Sequence, residues 1–259
     1  MRILVCNDDG VRAPGLARLA AAARTLSSDV WVVGPERKWT AAAHQLSFDR
    51  DLTLTRVDNR TFACSGAPAD CVVAAMTVLF EAAEGPQLVL SGINDKRNVG
   101  EDLAYSGTMA VAREATFWGA PAIAVSGDGW NGDDAAQRGL AALIDTAWNA
   151  RDDWASGGGW LGINLPESLP APVAQAHVAR DKIASACDVV HRTGDRITYR
   201  IRRGRPGSRS PGDENDRIDS GSVAIVLHRW HCAETLPDGV LAALAAAMHD
   251  AASRESGQR

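Results

Sequence analysis

The sequence predicts an α/β protein with a Rossmann-like, mostly parallel sheet covered by helices on both faces. Three observations carry this. Short, continuous apolar runs alternate with helix-length segments through residues 2–165, the pattern of buried parallel strands joined by crossover helices. The early runs end in clusters of Gly, Asn, Asp and Ser, where an open α/β sheet carries its ligand loops. No internal repeat and no stretch of 18 apolar residues competes with this reading.

Each element follows from its residues. Residues 2–6 (R-I-L-V-C) form the first strand, stopped by N-D-D-G. Residues 14–25 carry Leu16, Leu19, Ala20 and Ala23 on one helical face. Residues 30–33 form the second strand, ended by Gly34-Pro35. Residues 36–63 read as a loop and a hairpin, with turn-like clusters at 49–51 and 58–59. Pro68 suits the first turn of a helix, expected to run to about residue 83. A buried strand at 88–90, a Gly/Asn/Asp-rich loop at 91–105 and a helix at 107–118 come next. A strand at 121–125, a helix at 134–150 (Leu140, Leu143, Ile144 and Ala147 in register) and a strand at 160–165 complete the alternation.

The last third reads differently. Strands are expected at 173–179, 197–202 and 222–228, separated by long polar segments. Residues 202–213, rich in Arg, Pro and Gly, read as a solvated loop or arm. A terminal helix over 238–252 presents Leu241, Leu244 and Met248 on one face. The expected organisation is therefore an α/β core over 1–170 and a β-rich extension, arm and C-terminal helix over 171–259.

Composition excludes several classes. The chain has 259 residues, 46% of them hydrophobic, and a formal net charge of -5. It buries a core without staples, and its acidity argues against a stable nucleic-acid partner, whose binding rests on neutralising many phosphates. The five cysteines show no CxxC pair, so buried free thiols are expected rather than a disulfide framework or zinc ribbon. Residues 1–6 run directly into a strand pattern, which reads as no leader. The expected location is the cytoplasm, with no membrane partner.

The chemistry is expected in the loops that follow the strands. Asn7-Asp8-Asp9-Gly10 follows the first, Lys38-Trp39-Thr40 comes soon after the second, and Ser91-Gly92-Ile93-Asn94 follows the third. Two adjacent carboxylates repel unless a cation lies beside them. Oxygen ligands from carboxylate, amide and hydroxyl suit Mg²⁺ or Mn²⁺, so Asp8, Asp9, Asn94 and Thr40 form a candidate metal set. Ser106-Gly107-Thr108 opens a helix, whose free N–H groups and positive dipole end favour a phosphate. Each feature has a plainer reading, a turn for the acidic pair and simple capping for Ser106 or Thr108. Their convergence after successive strands is what favours chemistry.

On these residues the sequence resembles the SurE family of divalent-metal nucleotidases. The stretches that carry the resemblance are 3–15 (I-L-V-C-N-D-D-G-V-R-A-P-G), 64–72, 88–94, 98–102, 105–114 (Y-S-G-T-M-A-V-A-R-E) and 119–126. Their order and spacing match across about half the chain. The resemblance implies one divalent ion per subunit, Mg²⁺ or Mn²⁺, held by Asp8, Asp9, Thr40 and Asn94. It implies a phosphate site at Asn98, Ser106, Gly107 and Thr108. It further implies hydrolysis of nucleoside 5'- and 3'-monophosphates, and a homodimer or homotetramer. Asp8 or Asp9 is the candidate to orient or deprotonate the attacking water, with a base from outside that set, such as the nearby His44, left open.

Departures from the family pattern keep alternatives open. Thr40-Ala41 stands where the family has Ser-Gly, Trp39 beside it is suited to stacking on a base or to a lid, and Lys96 stands near a family Gly. Lys96 and Arg97 put two cations on the loop, for a second phosphate, a carboxylate or solvent. Specialisation for a non-nucleotide phosphorylated metabolite, or a binding protein that has lost activity, are the competing readings. A phospho-receiver needs an acceptor Asp after its third strand, where this chain has Ser-Gly-Ile-Asn. A D-x-D phosphatase needs a nucleophile where this chain has Asn7, which cannot form the acyl phosphate.

Overall fold

The computed structural model describes residues 1–80, 84–127, 132–204, 206–230 and 239–247. They divide into a unit spanning Met1–Arg229 and a second beginning at Trp230. In the second, residues 239–247 are helical. The rest of the helix expected over 238–252, with Cys232 and Met248, lies outside the described residues.

The first unit opens with β1 (Arg2–Cys6), α1 (Pro14–Leu26) and β2 (Asp29–Pro35). The hairpin β3 (Leu54–Asp58) and β4 (Thr61–Cys64) follows, then α2 (Pro68–Ala74), which ends in a π-helical turn over Ala75–Leu79. Next come β5 (Leu88–Asn94), the single turn α3 (Asp102–Tyr105), α4 (Gly107–Phe117), β6 (Ala122–Gly127) and α5 (Asp134–Asn149). The remainder is α6 (Arg151–Trp154), β7 (Gly159–Leu165), β8 (Val173–Gln175), β9 (Cys187–Thr193), β10 (Arg196–Ile201), α7 (Glu214–Asp219) and β11 (Val223–Arg229).

Nine strands form one sheet in the order β3-β4-β2-β1-β5-β6-β7-β11-β8. Strands β4, β2, β1, β5, β6 and β7 are mutually parallel, β3 is antiparallel to β4, and β11 is antiparallel to β7. The α/β class is as expected. The chain leaves β1 toward β2 on one side and later returns to β5 on the other. The crevice outside the carboxyl ends of β1 and β5 is therefore the switch point of the sheet, where such folds bind ligands.

Strand alternation explains the two cores. Ile3 and Val5 face α1 and α5 with Leu16, Leu19, Leu140 and Ile144. Leu4 and Cys6 face α2 and α4 with Val72, Met109 and Ala112. A fully buried Leu or Ile contributes roughly 1.5–3 kcal/mol relative to its exposed state, so both faces must be covered. One crossover departs from the others. The chain moves the same way across the sheet from β5 to β6 and from β6 to β7, yet α4 and α5 cover opposite faces. The β6–α5–β7 crossover therefore has the opposite hand to β5–α4–β6.

Several expectations need correction. Residues 91–94 are the end of β5, not loop, because Asn94 still pairs with Ser126 beyond a register irregularity. The strand expected over 173–179 stops at Gln175. Strand β9 and helix α7 were not foreseen. Strand β9 lies almost wholly exposed, so no apolar period marks it, and α7 buries a single large apolar side chain, Ile218. The cysteine expectation holds for Cys6, Cys64 and Cys71, whereas Cys187 is exposed.

His228 on β11 gives the sheet a pH response. Its ring stacks on Trp160 with centroids 5.4 Å apart, and Gly162 leaves room for it, since a Cβ there would lie 2.5 Å from Nε2. Among the described residues neither His228 Nε2 nor Trp160 Nε1 has a hydrogen-bond partner. Burial lowers the His228 pKa from 6.5 to about 4. The unfolded chain therefore binds a proton that the native state refuses. Stability is full above the unfolded value and falls as pH drops toward about 4, by about 3 kcal/mol at most. Urea unfolding of the wild type and His228→Leu at neutral and acid pH checks this. The stability difference between them is expected to shift toward the variant on acidification.

Candidate active site

The turn after β1 is built by Asn7. Its buried side chain donates from Nδ2 to the Gly10 carbonyl (3.0 Å) and accepts from the Gly10 N–H (3.3 Å). That closed loop aims Asp8 and Asp9 out of the strand end. Backbone bonds join it to the segment after β2: Val11 N–H donates to the Pro35 carbonyl (2.8 Å) and Trp39 N–H to the Asp8 carbonyl (2.7 Å).

Asp8 and the start of α4 are in direct contact. Thr108 Oγ1 donates to Asp8 Oδ1 at 2.7 Å. A Cβ on Gly107 would lie 2.6 Å from Asp8 Cβ and 2.8 Å from Pro68 Cγ, so only glycine allows this approach. Ser106 caps α4, its Oγ accepting from Met109 N–H at 3.2 Å. The N–H groups of Gly107 and Thr108, in the first turn, have no intrahelical acceptor and lie beside a buried carboxylate. Burial pushes the Asp8 pKa up to about 6, with the Thr108 bond opposing and the Asp9 charge adding to the rise.

Asp9 turns toward the other wall. It is ion-paired with Lys38, and Lys38 Nζ also reaches Asp95 Oδ2 at 2.9 Å. Asp9, Lys38, Asn94 and Asp95 line a crevice of about 490 Å³ with Gly15 and Arg18 of α1. Asn94 Nδ2 donates to the Lys96 carbonyl at 2.7 Å, which leaves its Oδ1 as an acceptor. Thr40 is exposed, and among the described residues no hydrogen bond joins its hydroxyl to the carboxylates.

Asn98 is tied elsewhere. Its Nδ2 donates to Ser126 Oγ (2.8 Å), while Asn164 accepts from its N–H (2.9 Å) and donates to its carbonyl (2.9 Å). Arg97, expected to face an anionic ligand or solvent, instead donates to Asn215 Oδ1 (3.1 Å) and pairs with Asp219 (3.0 Å). The Arg37 guanidinium carbon lies over the Trp39 ring, 4.2 Å from the ring centroid. His44 accepts from Arg113 Nε on Nδ1 (2.8 Å), so its Nε2 carries the proton donated to Glu114 (2.7 Å). That network fastens the loop after β2 onto α4.

Glu214 was missed by the sequence reading. Its Oε2 accepts from Gly100 N–H (2.8 Å) and Ala179 N–H (3.1 Å), and Val99 packs against Ile218. Burial, with Asp213 and Asp102 nearby, raises its pKa to about 7 despite those bonds. Asn164 was legible in principle, since a polar residue inside an apolar strand requires a partner.

A doubly wound α/β sheet with a carboxylate pair and a helix start converging at its switch point defines the class: an α/β protein with an acidic ligand site between loops. The chain belongs to the SurE family. The family model described as "Survival protein SurE" matches residues 3–187. The chain is 34% identical over 241 residues to the 5'-nucleotidase SurE of Paramagnetospirillum magneticum, covering 87% of this chain and 88% of that protein. It is 36% identical over 254 residues to the 5'-nucleotidase SurE of Chelativorans sp., covering 95% and 100%. The crystal structure of the SurE protein from Aquifex aeolicus superposes with a TM-score of 0.76 at 26% identity, covering 90% of this chain and 95% of that one.

Proposed function

We propose that this chain is a divalent-metal-dependent phosphomonoesterase that hydrolyses nucleoside 5'- and 3'-monophosphates to nucleoside and phosphate. The single observation that carries this reading is the contact between Asp8 and the start of α4. It supports a cation ligand and a phosphate cradle standing within one side chain of each other. The relatives named 5'-nucleotidase SurE supply the substrate class.

The donor set suits a small hard cation. Two adjacent carboxylates lie at one strand end, one of them buried and reluctant to ionise, the other already drawing an ammonium. Asp8, Asp9 and the Asn94 oxygen would hold Mg²⁺ or Mn²⁺, with Thr40 added by family resemblance. Such an ion polarises a phosphoryl oxygen and lowers the pKa of a bound water. The chain's own residues do the rest. Gly107 and Thr108 N–H groups and the Ser106 hydroxyl receive the equatorial phosphoryl oxygens, while the Thr108 hydroxyl proton stays on Asp8. Asn98 holds the loop that borders them. Asp8 or Asp9 orients the water.

The core over 1–170 carries this chemistry in our reading, and the segment over 171–259 carries subunit contacts. The β9–β10 hairpin exposes Val189, Val190, Ile197, Tyr199 and Ile201, and an isolated two-stranded ribbon is marginal in water. A second copy of the chain is the partner we assign to it, as a homodimer or homotetramer measurable by light scattering. Three buried free thiols suit a cytoplasmic location. Among the described residues no helix is long and apolar enough to cross a membrane.

The test is phosphate release from nucleoside monophosphates and non-nucleotide phosphoesters, with Mn²⁺, with Mg²⁺ and after chelation. Release is expected from the nucleotides, falling about 10²-fold or more on chelation. A preference for the non-nucleotide esters would move the substrate class. Binding without release would leave a binding protein.

A further inference from the structure

Lys38 touches two carboxylates that stand on different loops. Asp9 follows β1, its side chain only 10% exposed, and Asp95 follows β5, 64% exposed. The ammonium bridges the mouth of the crevice between them and lies on the carboxylate proposed above as a cation ligand. A lysine carries one fixed positive charge on a flexible stem and strong hydration, so it can neutralise a carboxylate and leave it again. Its second partner gives it a place to go, since Asp95 is the more exposed carboxylate.

We propose that Lys38 is a tethered counter-ion that occupies the carboxylate site in the metal-free protein and competes with the divalent cation for Asp9. Cation binding moves the ammonium off Asp9 and onto Asp95. No bond is made or broken beyond the exchange of ion pairs, and charge stays balanced, because the ammonium keeps one carboxylate throughout. The metal-free protein is thereby protected from the repulsion between Asp8 and Asp9. Its cation affinity is set lower than three oxygen ligands alone would give.

This inference rests on the divalent-cation reading, and the experiment separates the two. Mn²⁺ binding to chelator-treated full-length protein is measured by calorimetry for the wild type, Lys38→Met and Lys38→Gln. Melting temperatures are recorded with and without Mn²⁺, and circular dichroism confirms folding. Both variants are expected to bind Mn²⁺ about five-fold more tightly, the scale of one ion pair lost as a competitor. They are expected to melt lower without metal and to gain more from it. The affinity gain is expected to persist at about 0.5 M salt, where interactions beyond contact are screened. Equal or weaker Mn²⁺ binding in both variants overturns the inference while leaving the cation site standing, as does a gain that vanishes in high salt. Absence of Mn²⁺ binding in all three proteins overturns the cation reading itself.

Discussion

Replacing Asp9 with asparagine is expected to lower phosphate release from a nucleoside monophosphate by about 10²–10³-fold, the scale of removing one charge-stabilising group from an active site. The variant isolates charge from shape, because asparagine keeps the size of the side chain. The fold has little reason to respond. The pair lost is with a half-exposed lysine that retains Asp95, and such pairs contribute about 0–1 kcal/mol. Asp8 is a poorer subject, since its side chain is packed against Gly107 and bonded to Thr108. Full turnover by Asp9→Asn, measured under saturating Mn²⁺, would remove the basis for the functional assignment.

Gly107→Ala is expected to reduce activity by about 10²-fold, because a displacement on the order of 1 Å at reacting groups has that effect. Two principles disagree about its stability. Alanine is better than glycine inside a helix by about 0.8–1 kcal/mol, which predicts a more stable protein. The added methyl, however, would meet Asp8 Cβ at 2.6 Å and Pro68 Cγ at 2.8 Å. Neither is the far end of a flexible side chain, so α4 or the β1 turn must move. Overpacking of this kind costs about 1–3 kcal/mol. The steric effect is therefore expected to win, lowering both the melting temperature and the turnover. An alanine variant that is more stable and fully active would show that α4 and the Asp8 turn are not in contact.

The fold was legible where a buried face imposed a period. Strands β1, β2, β5, β6 and β7 and helices α1, α4 and α5 all bury apolar residues at the expected spacing. Elements without such a face were silent. Helix α7 is held by Asp213, whose side chain accepts from Asp216 N–H, and by polar contacts of Glu214 and Asn215 to distant chain. A capping Asp before a polar stretch was its one visible signal. The opposite hand of the β6–α5–β7 crossover left no trace in the sequence at all.

The candidate site was legible as a set of loops and less so as a set of contacts. Asp8, Gly107 and Thr108 meet, as their positions after β1 and at the start of α4 required. Asn98 and Arg97 carry the same polar chemistry, yet their partners are Ser126, Asn164, Asn215 and Asp219. Each partner is far along the chain. Spacing in the sequence therefore indicated which loops converge but not which side chains are occupied in holding them. Asp95 stands beside Asn94, and Lys38 two positions before Thr40, both singled out for metal binding, and nothing in either neighbourhood announced their pairing.

The carboxylate that accepts from Gly100 N–H lies 114 residues further along the chain. During synthesis β1 to β7 are complete well before Glu214 emerges, so the six parallel strands are present, and Asn98 has its partners Ser126 and Asn164, while Gly100 N–H in the loop between β5 and α4 still lacks its acceptor. Until β11 arrives, β7 is also an uncovered strand edge, open to pairing with another chain. A product truncated ahead of Glu214 would have a nearly finished scaffold, a loop held at Asn98 but not at Gly100, and an adhesive flank. The final setting of the loop at Gly100 is thus a late event in synthesis, dependent on a residue 114 positions away.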